Sequence, residues 1–118
     1  MNIIKIAFAI ITLVLISCNN KNDELKVIIE KSSETVSPGE VFEAELFIEY
    51  QNSLQYGWFY IVHGADTFRL VNDETKKCAL FKATANEPGK YEYFGFAEFE
   101  NDNGTILNES FVIQFLTE

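Results

Sequence analysis

The chain holds one histidine, two cysteines and one tryptophan in 118 residues. Its lone histidine, His63, would have to carry alone the base of a nucleophilic triad or the imidazole of a metal site. Neither Gly-x-Ser-x-Gly nor His-x-x-Glu-His occurs, so no nucleophile elbow and no zinc-protease helix are encoded. His63 stands before Gly64 and reads as a polar residue flanking a turn. Basic residues are scarce too: nine Lys and Arg face eighteen Asp and Glu, a net charge of −9. Such a surface repels phosphate backbones and anionic headgroups, which argues against nucleic acid and against electrostatic adhesion to lipid. It suits an exported soluble domain and is compatible with cationic partners. The carboxylates alternate along strands, as solvated charge does, and mark no pair held across a cleft as a glycosidase needs. Asn101-Asp102-Asn103-Gly104 has the composition of a calcium loop without its Asp-x-Asx-x-Asx-Gly spacing or distal Glu, so a hairpin turn is expected there. No metal and no cofactor are expected.

Long hydrophobic runs are missing except for one. Ile6 to Ile16 is apolar or nearly so and follows the charged Lys5. As a helix this run would span about 16 Å, roughly half a bilayer core, too short for a stable membrane span. It ends in Leu15-Ile16-Ser17-Cys18, which reads as a lipobox: an apolar h-region, a small residue at the cut, then the cysteine to be acylated. The sequence therefore predicts a signal peptide over 1–17, lipidation of Cys18 and a tether over 18–24. Asn19 to Glu24 is polar and lacks apolar anchors. Its composition resembles the short acidic tags that follow the acylated cysteine in surface lipoproteins of the Bacteroidota, and the expected location is the cell envelope, at the outer membrane. With Cys18 used for lipid, Cys78 is alone and no intramolecular disulfide can form. Lys76 and Lys77 precede it and could lower its thiol pKa; a buried strand cysteine is the simpler expectation.

What remains, 25–118, is enough for one small domain. Its apolar residues repeat every second position. Val41 to Tyr50 puts Phe42, Ala44, Leu46, Ile48 and Tyr50 on one face and Glu43, Glu45 and Glu49 on the other. Ser37-Pro38-Gly39-Glu40 precedes it as a turn. Further strands are expected at Lys26–Glu30, Trp58–His63, Thr67–Val71, Cys78–Ala85, Lys90–Glu100 and Thr105–Leu116, with Gln51–Gln55 and Asn72–Lys77 as polar connections. No stretch has helical period. About seven strands punctuated by turns predict an all-β, immunoglobulin-like two-sheet sandwich, with an open barrel as the alternative. The Cys-Trp-Cys framework of antibody domains is absent.

Pro38 to Phe47, reading Pro-Gly-Glu-Val-Phe-Glu-Ala-Glu-Leu-Phe, resembles a strand opening in the periplasmic domains of the gliding-motility GldM family. Val62-His63-Gly64, Pro88 to Gly95 and the closing Phe111 to Phe115 are similar to other strands of those domains. The resemblance covers most of 26–118 and implies an extracytoplasmic immunoglobulin-like module used for assembly or protein contact, with no catalytic residues to carry over. That family is anchored by a membrane helix and strings several domains together. This sequence has one domain behind a lipidation signal, so membership in the secretion motor is not implied.

Two aromatic groups stand out as candidate binding residues. Tyr56, Trp58 and Tyr60 share a parity. They could stack on sugar rings or form an interface anchor, although the simpler expectation makes them the inner face of one sheet. Phe94 and Phe96 lie among Glu92, Glu98 and Glu100, opposite the uncharged face of Tyr91, Tyr93, Gly95, Ala97 and Phe99. If that uncharged face is the inner one, both phenylalanines point outward, to be covered by a flanking segment such as that around Leu54 or by a partner. The sequence thus points to a non-catalytic, envelope-anchored protein-binding or assembly module, membrane-held through lipid and contacting an envelope protein. The alternative is a carbohydrate-binding accessory lipoprotein that takes a glycan on its aromatic face.

Overall fold

The computed structural model describes residues 24–118. The signal segment 1–17, Cys18 and the tether up to residue 23 lie outside the described residues. The described chain is all β, with ten strands in two sheets. They are β1 (Leu25–Lys31), β2 (Thr35–Val36), β3 (Val41–Tyr50), β4 (Ser53–Gln55), β5 (Trp58–His63), β6 (Asp66–Arg69), β7 (Val71–Asp73), β8 (Cys78–Thr84), β9 (Gly89–Glu100) and β10 (Ile106–Thr117). One sheet runs β1-β3-β8-β7, with β4 also on β3; the other runs β2-β10-β9-β5-β6. Taking β1, β3, β5, β6, β7, β8, β9 and β10 as A, B, C, C′, D, E, F and G, this is the immunoglobulin order ABED facing C′CFG. Seven of the strands have four or more residues, so the expected sandwich of about seven strands is what forms.

β3 carries the alternation to its end: Phe42, Ala44, Leu46, Ile48 and Tyr50 are all buried. They meet Phe59 and Ile61 of β5 and Phe111, Ile113 and Phe115 of β10 in one core. The Phe42 and Phe115 rings stack at 4.3 Å with 8° between their planes, and each fully buried phenylalanine contributes about 1.5–3 kcal/mol. Tyr91, at the start of β9, donates its hydroxyl to the Glu87 carbonyl at 2.7 Å. This is the tyrosine corner of immunoglobulin-like sandwiches, a tie between strand F and the turn before it. The turn at Ser37–Glu40 is closed by Glu40 N–H donating to the Ser37 carbonyl, with Gly39 at φ 86°, the type II geometry that wants glycine third.

The strand assignment departs from the sequence reading in two places. Thr67–Val71 is two strands: β6 belongs to one sheet and β7 to the other. The chain crosses between them at Leu70, whose N–H donates to the Phe59 carbonyl at 2.8 Å. Gln51–Gln55 is not merely a polar link. Gln51 and Asn52 both have positive φ, 52° and 65°, which makes a two-residue hairpin and turns the chain back onto β3 as β4. Leu54 therefore pairs with Glu49 in the first sheet and does not cover Phe94 or Phe96. Cys78 is the buried strand residue expected, and it pairs with Phe47 on the outward face of its sheet, outside the core cluster.

Candidate functional site

The two faces of the β5–β9–β10 sheet differ sharply. Inward, Gly95 and Ala97 of β9 are buried, and Phe111 fills the space over Gly95. Outward, cross-strand pairing assembles two rows. Val62, Phe94 and Val112 stand side by side, and so do Tyr60, Phe96 and Ser110. Phe94 is 56% exposed, Val62 41% and Val112 40%, while Tyr60 and Phe96 stack at 4.9 Å and 20° and half-bury each other. The middle of this face carries no charge. Its border does: Arg69 lies opposite Tyr60 and Glu98 opposite Trp58, and Glu92 faces Lys90 at 3.7 Å and accepts from the Gln114 amide at 2.5 Å. An apolar centre within a polar rim is how protein interfaces are built. Phe94 and Phe96 thus take the outward position expected of them, and what lies against Phe96 is Tyr60.

Tyr56, Trp58 and Tyr60 do not behave as one row, and they are not an inner face. Phe59 and Ile61 are the buried residues of β5. These two have no polar atoms, whereas an inward Trp58 or Tyr60 would need a partner for its N–H or O–H inside the core. Trp58 is 47% exposed, with the Arg69 guanidinium 4.5 Å from its ring centroid. Tyr56 precedes the strand. Its hydroxyl donates to the Glu74 carbonyl, and the Lys77 ammonium lies 5.5 Å from its ring centroid. Tyr56 and Trp58 line a cleft at the end of the sandwich; Tyr60 belongs to the outer face.

The remaining chemistry is modest. His63 is exposed at the end of β5, and no described side chain hydrogen bonds to it. Among the described residues, no three His, Cys, Asp or Glu converge as a metal site. Asn101 uses its Oδ1 to accept from the N–H groups of Asn103 and Thr105 at 3.0 and 2.9 Å, which makes it the closing residue of the β9–β10 hairpin. Burial pushes the Cys78 thiol pKa up, helped by the Glu45 and Asp73 carboxylates and opposed by Lys76. Burial thus outweighs the lowering that Lys76 still exerts, as the simpler expectation of a buried strand cysteine implied, and Lys76 is itself paired with Glu45 at 3.0 Å. The Lys76 pKa is raised, first by that hydrogen bond and then by the charge of Glu45. No protein-family model matches the chain, and no curated protein is similar to it in sequence.

Proposed function

We propose that this chain is a lipoprotein held at the cell envelope, at the outer membrane, through diacylglyceryl-Cys18, and that its sandwich is a non-catalytic module binding another envelope protein. The observation that carries the binding role is the uncharged outer face built from Val62, Phe94, Val112 and the stacked Tyr60–Phe96 pair. Val62, Phe94 and Val112, 40–56% exposed, each forgo a part of the roughly 1.5–3 kcal/mol that full burial of a large apolar side chain gives, which a partner would recover. The acidic remainder of the surface supports a role in solution next to a membrane rather than on it. The resemblance to GldM periplasmic domains supports assembly or protein contact as the kind of work done. Lipidation rests on the lipobox at Leu15–Cys18, and stable retention needs more than one acyl chain, since a single chain binds with only about 10⁴ M⁻¹.

Labelling cells with palmitate tests the anchor: the wild type should carry label and a Cys18→Ser variant should not. Photo-crosslinking from position 94 tests the face. A specific adduct that disappears in a Val62→Ser/Phe96→Ser background supports it, and an adduct formed equally from position 43, on the other sheet, counts against it. A second reading takes a glycan on Trp58, whose ring is half exposed. It stands behind the first because Tyr60 is engaged by Phe96 and the expected row of three rings is broken.

A further inference from the structure

Where β7, β9 and the link into β5 come together at one end of the sandwich, they enclose a cleft of about 490 Å³. Tyr56 and Trp58 are among its aromatic lining residues, and Glu74, Glu98 and Glu100 are its acidic ones. No Lys or Arg lines it, and among the described residues none of these three carboxylates is in an ion pair. The walls are fixed across the two sheets. Asn72 Nδ2 donates to the Gly57 carbonyl at 3.0 Å, and the Tyr56 hydroxyl donates to the Glu74 carbonyl. A β-carbon on Gly57 would lie 2.6 Å from the Glu98 carbonyl oxygen, so this approach of the link to β9 requires glycine.

We infer that this cleft binds an alkylammonium or guanidinium group carried on an apolar stem, either a lysine or arginine side chain of a polypeptide or a free polyamine. The carboxylates would take the charge through charge-assisted hydrogen bonds. The stem would lie on the aromatic wall, where a cation gains from the ring quadrupole. The protein already uses its rings in this way at the rim, where Arg69 lies over Trp58 and Lys77 over Tyr56. Those two cations offset two of the three lining negative charges and leave one in excess. A neutral sugar would satisfy the rings but would leave the excess negative charge uncompensated. The inference stands apart from the outer-face reading, because the cleft shares none of Val62, Phe94 or Val112.

Trp58 is the only tryptophan, so its emission reports on the cleft directly. The chain should be titrated with spermidine, with a Gly-Lys-Gly peptide and with a chitin oligosaccharide, at low and high salt. A saturable change with spermidine or with the peptide is expected, weakened at least tenfold by Glu98→Gln/Glu100→Gln and by high salt, and unchanged in Phe94→Ser. Saturation by spermidine alone would identify a free polyamine; saturation by the peptide alone or by both would include a polypeptide side chain. Absence of saturation with either cation, or a response that survives the Gln substitutions, overturns the inference. So does saturation by the oligosaccharide alone, which would make the cleft a sugar site. The Gln variant should keep the wild-type melting temperature, since both positions lie at a half-exposed or exposed strand end.

Discussion

The Phe111 ring occupies the space that a side chain on Gly95 would need. A β-carbon at position 95 would lie 2.7 Å from Phe111 Cζ and closer still to the Tyr60 carbonyl oxygen. The strands β5, β9 and β10 can therefore keep their register only with glycine at that point. Gly95→Ala should lower stability by about 3 kcal/mol, the upper part of the usual overpacking range. Denaturant melts would check it, and a variant as stable as the wild type would show that the ring can move aside.

Tyr91 ties the start of β9 to the preceding turn through a single hydrogen bond to Glu87. Tyr91→Phe keeps the ring stacked on Phe115 at 5.4 Å and removes only the hydroxyl. A loss of about 1 kcal/mol is expected, the net worth of one such bond. Tyr91→Ala should cost about 3 kcal/mol or more, because the packing goes with it.

Phe94, Phe96 and Phe42 form a graded series on the same chain. Phe94→Ser should change stability by no more than about 0.5 kcal/mol, as at other exposed sites. Phe96→Ser should cost about 1 kcal/mol through the lost stack on Tyr60. Phe42→Ala should cost about 3–5 kcal/mol by opening a cavity beside Phe115. Equal losses for Phe94 and Phe42 in urea titrations would refute an outward-facing position 94.

Cys78 should resist thiol reagents in the native protein and react quickly once unfolded, because burial keeps its pKa above the ordinary value. The group is a neutral acid whose folded pKa is raised. Its contribution to stability is complete below the unfolded pKa of about 8.5 and is lost as pH rises through the higher folded pKa. The melting temperature of the wild type should thus fall faster than that of Cys78→Ala between the unfolded pKa and the higher folded one. Parallel pH profiles for the two would exclude the thiol as the cause.

Much of the framework was legible because strands with one buried face announce themselves. Val41–Tyr50 alternates without a fault, and its five apolar members are the buried ones. Trp58–His63 was harder, since both parities are aromatic or aliphatic and only the polar tips of Trp58 and Tyr60 decide between them. The crossing at Leu70 left no mark, because a strand that changes sheets keeps its extended backbone throughout. The hairpin at Gln51–Asn52 was hidden by the absence of glycine at its two positive-φ positions. The tyrosine corner had only a spacing of four to Tyr91 as its signal, and its acceptor is a backbone carbonyl, which no side chain advertises. The cleft was out of reach for a different reason. Its residues come from segments around positions 56, 73 and 99, and only the pairing of strands brings them together.

The parallel contact of β2 with β10 gives the sandwich a mechanical character. Leu25 pairs with Tyr50 at the cleft end, whereas Thr117 finishes beside Val36 and Gly89 at the opposite end. Tension applied through those two residues runs along the strands. It loads the hydrogen bonds between β1 and β3, and between β2 and β10, in shear, so that they must fail together instead of unzipping one at a time. Under tension along this stiff direction the lifetime of the fold would be set by its unfolding rate rather than by its equilibrium stability.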